Sequence, residues 1–203
     1  MDTINALAEA FALKDERRTG WQLRGITDPE TVAGHTWGVA LLCLQYGNEA
    51  DIDIDRALRM ALVHDLAEAK TGDVATRVND ADQRVSATEK DRRERDAMDA
   101  LAPALDPEIR DLWEEYEARE TSESLFVKDM DLVDMCLQAL VYERGNRYDG
   151  ERENEQFKEY EDLDEFFATA EPRLRTAVGR ELFEEIRTRY ETVRDGGEGG
   201  TDE

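Results

Sequence analysis

The amino-acid sequence predicts an all-α protein, a bundle of about seven to nine helices. Three observations carry this. Apolar residues recur at helical spacing along most of the chain, Ser, Thr or Asp stands where N-caps should fall, and Gly or Pro stands where helices should stop. A sustained alternation of β-branched and polar residues between hairpin turns is not found.

The elements follow in order. Thr3 to Leu13 places Ile4, Leu7, Ala8 and Phe11 on one stripe. The run "TVAGHTWGVALLCLQYG" predicts a second helix that stops at Gly47. Asp53 or Asp55 caps a third helix running through Leu66, after which "EAKTGD" reads as a turn. Ser86 or Thr88 opens a charged helix that Pro103 breaks, and a short helix around Ile109 to Glu117 follows. Thr121 or Ser122 begins the long apolar helix "ESLFVKDMDLVDMCLQALVYERG", ending near Gly145. Two further helices, about Glu153 to Thr169 and Arg173 to Val193, complete one domain over residues 1–194. Residues 195–203, polar, Gly-rich and acidic, read as a frayed tail.

Fifty acidic residues against 26 basic ones give a formal net charge of −24. A field of that sign repels nucleic-acid backbones and anionic membranes, so neither is an expected partner, and an anionic substrate needs a local cationic device. Acidic excess spread over the whole chain resembles a halophile's surface, where salt screens self-repulsion. Cys43 and Cys136 sit within apolar helical patterns without CxxC spacing and read as buried free thiols in a reducing compartment. With neither a secretory leader nor a membrane span visible, the expected location is cytoplasmic.

Four polar residues intrude on apolar helix faces: His35 in "AGHTWGVALL", His64 and Asp65 in "MALVHDLAEA", and Asp131 in "FVKDMDLVDMCL". Each alone is more often a hydrogen-bonded core residue than a ligand. Together they comprise both histidines of the chain and two carboxylates, on three helices that can converge. Two imidazoles with two carboxylates form a donor set suited to one divalent transition ion such as Mn, Fe, Co, Ni or Zn. Such an ion lowers the pKa of water and polarises a phosphoryl group, as hydrolysis of a phosphate ester requires.

The order His35, then His64 with Asp65, then Asp131 resembles the H...HD...D pattern of the HD-domain metal-dependent phosphohydrolases. Within that group, "ERRTGWQLRGITDPETVAGHTWGVA", "ALVHDLAEAKTGD", "EEYEARETSESLFVKDMDLVDM" and "LQALVYERG" resemble the YfbR-like 5′-deoxynucleotidases, including the HD-domain-containing protein 2 group, over about Leu13 to Gly145. The resemblance implies an HD-domain bundle, one divalent metal, and removal of the 5′-phosphate from deoxyribonucleoside monophosphates by a homodimer. It implies catalytic roles for Glu68 and Asp73, which otherwise read as solvent-facing turn residues. Glu68 would orient or deprotonate the attacking water or protonate the leaving oxygen, and Asp73 would sit over the site. Arg18, Trp21, Arg24, Thr36 and Lys128 are the candidate substrate contacts: arginine clamps phosphate oxygens, and an indole stacks on a base or crowds the ribose 2′ position. The alternatives are an HD phosphohydrolase acting on dNTPs, alarmones or cyclic nucleotides, or a non-catalytic module that binds nucleotide or metal.

Overall fold

A computed structural model describes residues 1–149, 160 and 162–196. Its helices are α1 (Thr3–Ala10), α2 (Thr19–Arg24), α3 (Val32–Tyr46), α4 (Ile54–Val63), α5 (Glu68–Thr71), α6 (Ala87–Leu101), α7 (Pro107–Ala118), α8 (Ser122–Arg144), α9 (Asp164–Ala170) and α10 (Ala177–Gly196). Among the described residues extended pairing is limited to one antiparallel bridge, Arg17 with Thr31. The all-α expectation is met.

Local chemistry explains most boundaries. Thr31, Asp53 and Ser86 cap α3, α4 and α6 by accepting from Gly34, Arg56 and Glu89 backbone N–H groups. Thr121 and Ser124 form a capping box at the start of α8. Gly47 caps the end of α3 and Gly145 that of α8, and a 3₁₀ turn over Ala102–Ala104, containing Pro103, follows the end of α6 at Leu101.

Helix α8 is the axis of the molecule. Its flanks bury Phe126, Met130, Val133, Cys136 and Leu140 among others, because α3, α4, α7, α9 and α10 all pack against it. Asp129, also fully buried on α8, holds the entry of α10: it accepts from the backbone N–H groups of Arg175 (3.0 Å) and Thr176 (2.7 Å) and from the Thr176 hydroxyl (2.6 Å). No helix of the described residues is long and apolar enough to cross a membrane.

Five sequence expectations need correction. The apolar stripe of α1 does not face the core: Ile4, Leu7 and Phe11 are exposed, and Ala6 is the buried residue. Periodicity predicts a helix there, but a short terminal helix settles on whichever face its neighbours leave open. Helix α4 ends at Val63 instead of running through Leu66, and "EAKT" is helical. His64 causes the break, since its Nδ1 bonds the Ala61 carbonyl at 2.7 Å and competes with the backbone for that acceptor. Helix α10 starts at Ala177, not Arg173, because Thr176 caps it by accepting from the Gly179 N–H. It continues to Gly196, past the expected end at Val193, where Arg194 is paired with Asp164 at 2.9 Å. Of the helix expected from Glu153, the portion Asp164–Ala170 is observed, residues 150–159 and 161 lie outside the described residues, and so do residues 197–203 of the tail.

Candidate metal centre and active site

Three elements meet at the middle of α8. His35 comes from the first half of α3, His64 and Asp65 from the break after α4, and Asp131 from α8. His35 and His64 are buried, and their Nε2 atoms lie 3.4 Å apart. His35 Nε2 is 3.2 Å from Asp131 Oδ1 and 3.6 Å from Asp65 Oδ2, while His64 Nε2 is 3.2 Å from Asp65 Oδ2. Ligand atoms of His35, His64 and Asp131 all lie within 4.8 Å of one another. Donors held around one ion at bonds of about 2.1 Å stand about 3–3.5 Å apart, so these separations fit a shared cation.

The remaining atoms of the same side chains are fixed by the protein. His35 Nδ1 bonds Asp134 Oδ2 at 2.6 Å and His64 Nδ1 bonds the Ala61 carbonyl, so both imidazoles turn Nε2 inward. Asp131 Oδ2 accepts from the Tyr116 hydroxyl (2.9 Å) and from Lys128 Nζ (2.6 Å), leaving Oδ1 for the centre. Asp65 Oδ2 is buried and accepts no hydrogen bond within the chain. An unsatisfied buried carboxylate oxygen beside two inward imidazole nitrogens is what a cation would complete.

The electrostatics agree. Burial pushes the Asp65 carboxyl up, but the charges of His64, His35 and Arg18 outweigh it and hold the group well below its ordinary range. For Asp131, burial is likewise outweighed, here by Lys128 and the two histidines. Burial and Arg18 lower the His35 pKa, yet Asp134 and Asp131 together lift it to about 10. The centre is therefore anionic by construction and attracts positive charge, whether proton or metal.

A cleft of about 180 Å³ opens beside this cluster. Its lining includes the charged residues Asp65, Glu68, Asp73, Asp131, Arg18, Lys90 and Lys128 and the apolar residues Trp21, Leu132, Met135 and Phe166. Arg18 reaches Asp73 Oδ1 at 2.9 Å and Asp65 Oδ2 at 3.6 Å. Asp73 is itself tied down: its Oδ2 accepts from the Thr19 N–H at 2.6 Å, and its carbonyl accepts from the Thr19 hydroxyl at 2.8 Å. Its carboxylate thus holds Arg18 at the cleft wall. Gly72, at φ 72° and ψ 161°, takes a backbone conformation closed to side-chain-bearing residues and turns Asp73 back toward Arg18. Glu68 is 3% exposed, and burial followed by the charges of Asp65 and Asp73 raises its pKa well above the carboxylate norm.

Trp21 is a wall and offers no open face. It is 2% exposed, its indole N–H donates to Glu30 at 3.0 Å, Phe166 stacks on it at 3.9 Å, and Tyr142 meets its edge at 5.1 Å. Stacking of Trp21 on a base has no space here. Arg24 is turned elsewhere: it is buried, donates to the Asp162 carbonyl and lies over the Tyr148 ring at 4.9 Å. Neither Arg24 nor Thr36 lines the cleft.

Sequence reasoning missed Asp134, Lys90, Tyr116 and Phe166. A signal for Asp134 exists: it follows Asp131 by three residues on the same helix face, and Gly38 follows His35 by three. A Cβ on Gly38 would stand 2.0 Å from Asp134 Oδ1, so this glycine admits the carboxylate that orients His35. Phe166 and Thr169 reach the cleft because Glu165 forms a buried two-toothed pair with Arg77, Nε to Oε1 at 2.7 Å and Nη2 to Oε2 at 2.8 Å, pinning α9 to the loop after Asp73.

Comparison with known proteins places this geometry. A sequence profile described as HD domain matches residues 10–171. The 5′-deoxynucleotidase HDDC2 of Xenopus laevis is 41% identical over 135 residues, 64% of this chain and 64% of the relative, so the chain spans about 64% of that relative's length. The 5′-deoxynucleotidase hdd1 of Schizosaccharomyces pombe is 38% identical over 153 residues, covering 71% and 73% of the two chains. A Pyrococcus horikoshii protein of solved structure superposes with a TM-score of 0.71 at 29% identity, over 93% of this chain and 98% of its own. With the profile spanning both histidines and both aspartates of the cluster, this chain belongs to the HD domain family.

Proposed function

We propose that this protein is a metal-dependent phosphomonoesterase that releases inorganic phosphate from the 5′ position of deoxyribonucleoside monophosphates. The observation that carries the reading is the convergence of His35, His64, Asp65 and Asp131 donor atoms beside a cleft lined by the cations Arg18, Lys90 and Lys128 together with apolar side chains. The names of the relatives supply the substrate class.

A divalent transition ion such as Co, Mn, Fe, Ni or Zn, held by those four side chains, supplies Lewis acidity and a lowered pKa for water. The chain's own residues do the rest. Arg18, fixed by Asp73, presents its guanidinium to the phosphate, and Lys128, which also lines the cleft, adds positive potential. Glu68, buried and with a raised pKa, can take a proton from the attacking water and return one to the departing 5′ oxygen, so that water and phosphomonoester become nucleoside and phosphate. Trp21 and Phe166 form the apolar wall against which a deoxyribose packs and a 2′-hydroxyl finds no partner.

The same reading includes a homodimer. Helix α3 carries no Asp, Glu, Lys or Arg in a chain that is 37% charged, yet Trp37 (69%), Leu41 (48%) and Leu44 (55%) are exposed on it. Leu137 and Val141 are exposed on α8, which packs against α3. A second copy, presenting the same uncharged face, would cover this patch without burying unpaired charge. Fully buried Cys43 and Cys136, both free thiols, fit the cytoplasm.

The test is phosphate release by purified protein supplied with Mn or Co, across deoxy- and ribonucleoside monophosphates, dNTPs and cyclic nucleotides. The expected result is turnover of dNMPs above NMPs, lost in His64→Ala together with bound metal. Turnover confined to dNTPs or cyclic nucleotides, or a His64→Ala variant with full metal and activity, removes the reading.

A further inference from the structure

Helix α6 reads in the sequence as a solvated charged face, and most of it is. Arg92, Arg93 and Arg95 are exposed and pair with acids of their own helix, Glu89, Asp96 and Asp91. Lys90 differs. Its side chain is 30% exposed, it lines the cleft, and its Nζ lies 3.0 Å from Glu94 Oε1 and 3.5 Å from Glu68 Oε1.

The two oxygens of Glu68 are consequently unlike. Oε1 faces the Lys90 ammonium, whereas Oε2 is buried and has no hydrogen-bond partner. A carboxylate free to rotate about its last torsion presents either oxygen; an ammonium on one of them stops that rotation and defines which lone pair remains for chemistry. Glu94 in turn occupies Lys90 from the next turn of α6 and keeps the ammonium on the Glu68 side.

We propose that Lys90 is a positioning residue for Glu68, holding Oε1 so that Oε2 is the atom that accepts and returns the proton during phosphate-ester hydrolysis. This role rests on the reaction proposed above. It differs from a phosphate contact, which Arg18 and Lys128 already provide. Loss of a group that acts through Glu68 lowers turnover while substrate binding stays, whereas loss of a phosphate contact raises KM.

The experiment is a kinetic cycle on the full chain with dAMP and added Mn or Co. Lys90→Met keeps the aliphatic stem and should lower kcat about tenfold to hundredfold, with KM and the inhibition constant of inorganic phosphate unchanged within about threefold. Lys90→Arg should recover most of the loss, and Glu94→Gln should show a smaller fall of the same kind. In a Glu68→Gln background Lys90→Met should have no further effect, because the two residues act as one unit. Bound metal and melting temperature, measured on each variant, should match wild type. A rise in KM at constant kcat, additive losses in the double variant, loss of metal from Lys90→Met, or full activity of Lys90→Met overturns the role. Wild-type silence on every mononucleotide removes the reaction and this role together; an active wild type with an equally active Lys90→Met removes this role alone.

Discussion

Three aspartates stand within six residues on α8: Asp131 and Asp134 share one face a turn apart, and helical geometry points Asp129 away from them. Asp131 turns one oxygen toward His35 Nε2 at the candidate metal centre, Asp134 holds His35 from behind at 2.6 Å, and Asp129 looks the other way and anchors α10. The role of Asp134 is testable through its partner as well as directly. Asp134→Ala leaves the His35 tautomer unset and should weaken metal affinity about tenfold to hundredfold. Gly38→Ala, which forces a methyl group into Asp134, should reproduce that loss without removing any polar group. Metal titration monitored by calorimetry measures both, and an unchanged affinity in either variant contradicts the assignment. Of the residues at the centre, those whose polarity conflicts with their helix face were legible in the sequence. Asp134 was legible only through its spacing from Asp131, and Lys90 was not, since a lysine in a charged helix looks like every neighbour until packing turns it inward.

The elements that build the site are joined by buried charge as much as by apolar packing. Asp129 is fully buried and accepts two backbone N–H groups and one hydroxyl at the entry to α10, and a Cβ on Gly179 would stand 2.4 Å from its Oδ2. Removing that carboxylate leaves buried donors without acceptors and strips the helix of its anionic N-terminal partner. Asp129→Ala should destabilise the fold by roughly 2–4 kcal/mol in urea unfolding. A shift below a few tenths of a kcal/mol, within the range of ordinary surface changes, would show that water replaces the carboxylate. The Arg77–Glu165 pair does the same for α9, and through it Phe166 reaches the cleft from a segment to which the sequence attached no function. Helix boundaries were readable wherever a cap or glycine marks them, as at Thr31, Ser86 and Gly145. They were misjudged at His64, where a side chain takes over a backbone acceptor.

At the scale of the whole molecule, 50 acids against 26 bases leave 24 negative charges uncompensated, whatever the pairing. Exposed pairs such as Arg92–Asp96 and Arg189–Glu185 offset little of that repulsion, being worth about 0–1 kcal/mol each. Salt shortens the range of the remainder, so both folding and the association of two equally charged copies should strengthen as salt is added. Light scattering and thermal unfolding over a salt series test this together. In molar salt the wild type should be a dimer and Trp37→Glu a folded monomer, and dialysis to low salt should lower the melting temperature of both. A monomeric wild type in molar salt, or a dimer that survives Trp37→Glu, excludes the α3 face as the interface.

By itself the sequence determined that the chain is helical, where most helices begin and stop, and that four polar residues sit on faces that must be buried. These follow from local rules: spacing, capping chemistry and the cost of burying charge act over a few residues. Only the tertiary structure decided which face of α1 meets the core, that Trp21 is covered by Phe166, that Asp73 holds Arg18, and that Glu68 has one oxygen engaged and one free. Each of these depends on contacts between residues tens of positions apart, whose distances are set by how helices pack against α8 and are not written in any local run of sequence.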